Sequence, residues 1–137
     1  MSTSTLKQKE MTGIKGSTAE IGKFLGQLFS FNNSLKLFHW HVTGTGSYAK
    51  HIALDQAIEA LTDATDRLVE TTYAMAGDIT ITIPETKVPG DIVKHATDFY
   101  NTIEEGRDYF TEDFSESILD DYHEAIQQLL YRLKRLQ

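Results

Sequence analysis

The chain has no cysteine among its 137 residues, only two prolines and a single tryptophan. Without thiols, disulfides, iron–sulfur clusters and thiolate zinc sites are excluded. No run of about 18 apolar residues occurs, so no segment is expected to cross a membrane. The opening stretch MSTSTLKQKEMTGIKGS lacks the apolar centre of a signal peptide, and the simplest expectation is a cytoplasmic protein. Basic charge is also scarce. Lys and Arg total 13 against 20 Asp and Glu, for a net charge of -7. That balance argues against a general nucleic-acid binder and suits a surface that attracts cations. The remaining composition is that of an ordinary globular domain, and the length fits one domain with one core.

Apolar spacing divides the chain into a flexible N-terminal tail over 1–16 and a helical domain over 17–137. Ser17 and Glu20 have the form of a capping box at the start of a first helix. That helix carries Ile21, Phe24, Leu25, Leu28, Phe31, Leu35 and Phe38 at three- and four-residue intervals, and it should break near Gly44. A second helix is expected from about Ser47, a candidate cap, to Gly77. Two more follow over 91–110 and 115–136. Between the second and third lies DITITIPETKVPG (78–90), β-branched and proline-containing, with no second strand to pair with. Extended, it reaches about 43 Å, close to the roughly 45 Å length of a 30-residue helix. It can therefore run the length of a bundle and leave the second and third helices parallel. The expectation is an all-α, ferritin-like four-helix bundle with one long crossover.

Three of the five histidines fall between residues 39 and 51. On the second helix, Leu54, Ile58, Leu61, Leu68 and Met75 form a core stripe, while His51, Asp55, Asp66 and Glu70 share a separate arc of about 100°. Taken singly, each is an ordinary exposed polar residue. His51/Asp55 and Asp66/Glu70, however, are two chelate-like pairs at four-residue spacing. Asp55 and Asp66 are about 16 Å apart along the axis, so one chain cannot bring both pairs to one ion. The pairs 51/70 and 55/66 share one midpoint, between residues 60 and 61. A two-fold axis there would bring His51 to Glu70 of a second copy, and Asp55 to Asp66. His39, entering from the first helix beside Trp40, could complete each of two equivalent sites.

The set His39, His51, Asp55, Asp66 and Glu70, within HWHVTG…H…D…DRLVE, resembles the intersubunit ferroxidase signature of Dps proteins, the DNA-binding proteins from starved cells. The resemblance is close over 35–70 and loose over the other helices. It implies that both histidines and Asp55 come from one subunit, with Asp66 and Glu70 from its two-fold mate. It further implies iron(II) oxidation by hydrogen peroxide or oxygen, with ferric mineral stored inside a hollow homododecamer, as protection against oxidative damage. Mixed imidazole and carboxylate donors fit iron, and also manganese or zinc. Asp55 and Glu70 are the strongest candidate ligands; His39, His51 and Asp66 are weaker or second-site ligands. The chain departs from the family at His41, where asparagine is common, at Thr71, where arginine is common, and over 78–90, too short for the small helix usual there.

His95 and His123 match no ligand spacing and read as packing residues. Glu112, Asp113, Glu116, Asp120 and Asp121 read first as helix N-terminal charge, with Ser117 and Asp120 fitting a cap; lining a shell pore is the weaker reading. DNA binding, the family's second activity, rests only on Lys7, Lys9 and Lys15 in the tail and is weakly supported. The alternative to a ferroxidase is a non-catalytic helical assembly or DNA-protecting protein, holding a structural metal or none.

Overall fold

A computed structural model describes residues 13–135. Helix α1 (Thr18–His41) opens on a full capping box: Ser17 Oγ accepts from the Glu20 amide at 3.1 Å, and the Glu20 carboxylate accepts from the Ser17 amide at 3.0 Å. Helix α2 (Ser47–Ala76) starts after Gly46, whose left-handed φ of 79° turns the chain without a side-chain cap. Ser47, expected as that cap, is instead the first helical residue. Helix α3 (Ile92–Gly106) is capped by Asp91, whose carboxylate accepts from the Lys94 amide. The helical reading to residue 110 shortens here, because Arg107–Tyr109 tighten into a 3-10 turn. Helix α4 (Asp113–Arg135) starts earlier than its spacing suggested, so Ser117 and Asp120 lie within it and cap nothing.

The described residues are all-helical apart from turns and extended connections, with no strand beyond an isolated antiparallel bridge between Ile14 and Phe110. Gly13–Gly16, read from the sequence as part of the tail, are tied down. Lys15 N donates to Tyr109 O at 2.8 Å, and Thr111 N donates to Gly13 O at 2.9 Å. The tail expected over 1–12 lies outside the described residues.

Cross-helix contacts fix the directions. Asn32 bonds Thr62 while His39 bonds Asp55, so α1 and α2 are antiparallel. Phe31 stacks on Phe99 at 3.9 Å while Phe24 meets Phe110, so α1 also runs against the α3 segment. Thr65 meets Tyr122 and Arg67 meets Asp121 across α2 and α4. The result places α2 and α3 in the same direction, joined by the extended segment 77–91. That segment lies along α1. Thr80 O and Thr82 O cover Gly22 and Gly26 so closely that a Cβ on either glycine would collide with them. Ser30 then bonds Thr86 at 2.9 Å, and Tyr73 OH anchors the start of the segment on Ile79 O at 2.7 Å.

Inside, Ile21, Leu25, Leu28, Leu35, Leu54, Leu61, Leu68, Ile103, Leu119, Ile126 and Leu129 are fully buried. Every helix contributes a face to this one core. Tyr122 is buried among them with its hydroxyl on Thr65 Oγ1, which itself donates to Leu61 O. Burial, with the Asp66 charge adding to it, pushes the Tyr122 hydroxyl above the usual tyrosine range.

Candidate metal centre

The end of α1 and the start of α2 are held together by the TGTG turn, and there three candidate residues meet. His39 Nε2 lies 2.9 Å from Asp55 Oδ1. The His51 ring stands edge-on to the His39 ring, with centroids 4.5 Å apart. Helix periodicity explains the meeting: His51 and Asp55 are one turn apart on α2 and face the last turn of α1. The His39 side chain is 14% exposed and Asp55 is 51% exposed, so the carboxylate is the solvent-facing member. His39 Nδ1 is buried and has no hydrogen-bond partner among the described residues. With Nε2 facing a carboxylate, the imidazole donates there, and its other nitrogen is left unsatisfied.

Lys36 is a neighbour that the spacing of acids and histidines did not reveal. Its Nζ is 3.8 Å from Asp55 Oδ1 and 5.7 Å above the Trp40 ring. Its position one turn before His39 on α1 was the available signal. Trp40 itself is 65% exposed and does not fill the α1–α2 junction. His41 is exposed.

Asp66 and Glu70 are exposed further along α2 and are not brought to this cluster. One chain thus gathers His39, His51 and Asp55 and leaves Asp66 and Glu70 about 16 Å or more away along the helix. Among the described residues, no three His, Asp or Glu side chains are arranged to hold an ion. In donor chemistry the cluster offers two imidazoles and one carboxylate, donor types that suit a divalent first-row cation.

His95 and His123 sit in other surroundings. His95 Nε2 is 2.7 Å from Ser34 Oγ, and its ring stacks on Phe31. Because Ser34 donates to Phe31 O, His95 must be the donor to Ser34. Burial lowers the His95 pKa, with Asp98 partly offsetting it. His123 stacks on Tyr100 at 3.9 Å and lies 3.2 Å from Arg107. Arg107 also reaches Glu104, Glu116 and Asp120, while Arg67 takes Asp63 and Asp121. Three of the five acids read as helix N-terminal charge are therefore paired with arginines.

Residues 39–133 match the family described as a family of unknown function (DUF5856). The chain belongs to that family. The matched span starts at His39 and includes all five candidate residues, while all of α1 before its last three residues precedes it. No curated protein and no solved structure matches the chain. No helix among the described residues is long and apolar enough to cross a membrane.

Proposed function

We propose that this DUF5856 chain is a Dps-like, ferritin-like bundle that oxidises iron(II) at sites shared between two copies. The observation that carries the reading is the His39–His51–Asp55 cluster, which gathers two imidazoles and a carboxylate that is half exposed to solvent. Asp66 and Glu70 of a two-fold mate supply the other half, and the parallel α2 and α3 joined by one long connection suit the ferritin-like arrangement. Iron is the substrate here, with manganese or zinc able to occupy the same donors.

The roles follow from charge. Asp55 and Glu70 hold iron(II) and stabilise the iron(III) product, whose extra charge strengthens its attraction to carboxylates. His39 and His51 add neutral donors that keep iron(II) bound, and Asp66 lies further out. Each of two iron(II) ions gives up one electron. Hydrogen peroxide takes both electrons with two protons to form two waters; oxygen is the slower oxidant in this reading. The ferric product is stored inside a homododecameric shell in the cytoplasm. DNA protection through the N-terminal lysines is a weaker part of the same proposal.

One observation favours the alternative, an assembly protein without catalysis. Lys36 already stands 3.8 Å from Asp55, so the carboxylate has a cationic neighbour without any metal. Anaerobic iron(II) loading followed by peroxide, with ferric absorbance recorded beside an Asp55→Ala/Glu70→Ala variant, separates the two. Rapid oxidation lost in the variant supports the ferroxidase; equal behaviour of both proteins moves the assembly reading ahead.

A further inference from the structure

Two exposed apolar surfaces on this bundle have no partner among the described residues. One is Ile52 on α2, 41% exposed and flanked by Tyr48 at 79%. The other is a groove between α2 and α4, walled by Arg67, Glu70 and Thr71 on one side and by Phe114, Ser117 and Ile118 on the other. Phe114 is 48% exposed there.

The two surfaces are in register about a common point. Ile52 and Glu70 are about five whole turns apart, so they lie on one line along α2. The midpoint between residues 60 and 61, which relates His51 to Glu70 and Asp55 to Asp66, relates residue 52 to residue 69. Residue 69 lies at the level of the groove's α2 wall, between Arg67 and Thr71. A copy of this chain turned about that axis therefore brings its Ile52 to the groove beside Glu70.

We infer that the Phe114 groove of each chain is the seat for Ile52 of a second copy, forming an apolar lock beside the shared metal site. The inference rests on the two-fold reading of that site. It adds that a two-fold dimer buries Ile52 and Phe114 twice, once at each end of α2, and shields Glu70 from bulk water. Chemical self-complementarity selects the occupant: an isologous interface needs each patch to find its counterpart on the same surface. The charged stripe between the locks, which includes Asp55, Asp63 and Asp66, offers little attraction of its own.

A chain without cysteine allows a clean test. Ile52→Cys and Ser117→Cys proteins are prepared separately, mixed, oxidised with diamide and run on a non-reducing gel. A disulfide-linked pair from the mixture, absent when Tyr131→Cys replaces Ile52→Cys, is the expected result. Ile52 is exposed in the single chain, so Ile52→Asp should keep the wild-type helical signal while weakening dimerisation at least tenfold. Absence of the link between the two cysteine variants, where the wild-type protein is dimeric and oxidises iron(II), overturns the lock and leaves the site reading standing. A link formed by a protein that does not oxidise iron(II) supports the lock and overturns the site reading. A monomeric wild-type chain with an open groove overturns the lock.

Discussion

His39 and Asp55 meet at 2.9 Å across the α1–α2 interface, with Lys36 3.8 Å from the same carboxylate oxygen. A divalent cation binding through Asp55 Oδ1 shares that oxygen with the ammonium, and it can use His39 Nε2 only if that nitrogen gives up the hydrogen bond it now donates. The arrangement makes Lys36 a competitor for the site.

Removing that competitor should favour the metal. An exposed pair of this kind is worth roughly 0.2–1 kcal/mol, so Lys36→Gln is expected to tighten cation binding by up to about fivefold. Anaerobic calorimetric titration with iron(II), or with zinc(II) as a redox-silent probe, reads this directly. Weaker binding in the variant would show that Lys36 organises the site.

The close seat of the crossover on α1 predicts a sharp dependence on two glycines. Gly22→Ala and Gly26→Ala each push a methyl group against a backbone carbonyl, Thr80 O or Thr82 O. Overpacking against backbone costs roughly 1–3 kcal/mol, less the small helix-propensity gain of alanine. Urea unfolding should show this loss. Gly90→Ala, where nothing lies within 4 Å of the new Cβ, should stay within about 0.5 kcal/mol of wild type.

These glycines also show where the sequence stops being readable. The helices were legible because their apolar spacing and the Ser17–Glu20 cap are local signals. Gly22 and Gly26 look like weak points in a helix until the crossover is seen lying on them. Arg107 shows the same limit from another direction. Its carboxylates Glu116 and Asp120 lie on the next helix, and pairing across a turn has no signature in spacing. Part of the candidate site was legible for the opposite reason. His51 and Asp55 are one helical turn apart, and the His39 contact follows from antiparallel packing of two adjacent helices. Lys36 carries no such signal, because a cation does not belong to a ligand pattern.

His95 gives the chain a pH dependence whose sign is fixed. Burial lowers its pKa in the folded state, so the unfolded chain binds the proton more readily. The stabilising contribution is complete above the unfolded value of about 6.5. It is lost as pH falls from there through the lower folded value. Urea midpoints measured from pH 7.5 down to 5 should decline. His95→Gln, which keeps a donor for Ser34, should flatten that decline; an unchanged slope would assign it to other groups.

The central claim is that one functional site is assembled from two copies, and complementation measures this most directly. Asp55→Ala and Glu70→Ala proteins are dissociated, mixed, reassembled and assayed for peroxide-driven iron(II) oxidation. In a mixed dimer one site carries both lesions and the other is whole. Each variant alone should be slow, and the mixture should recover a substantial fraction of wild-type activity. A mixture as slow as its components, beside an active wild-type protein carried through the same steps, would contradict a shared site.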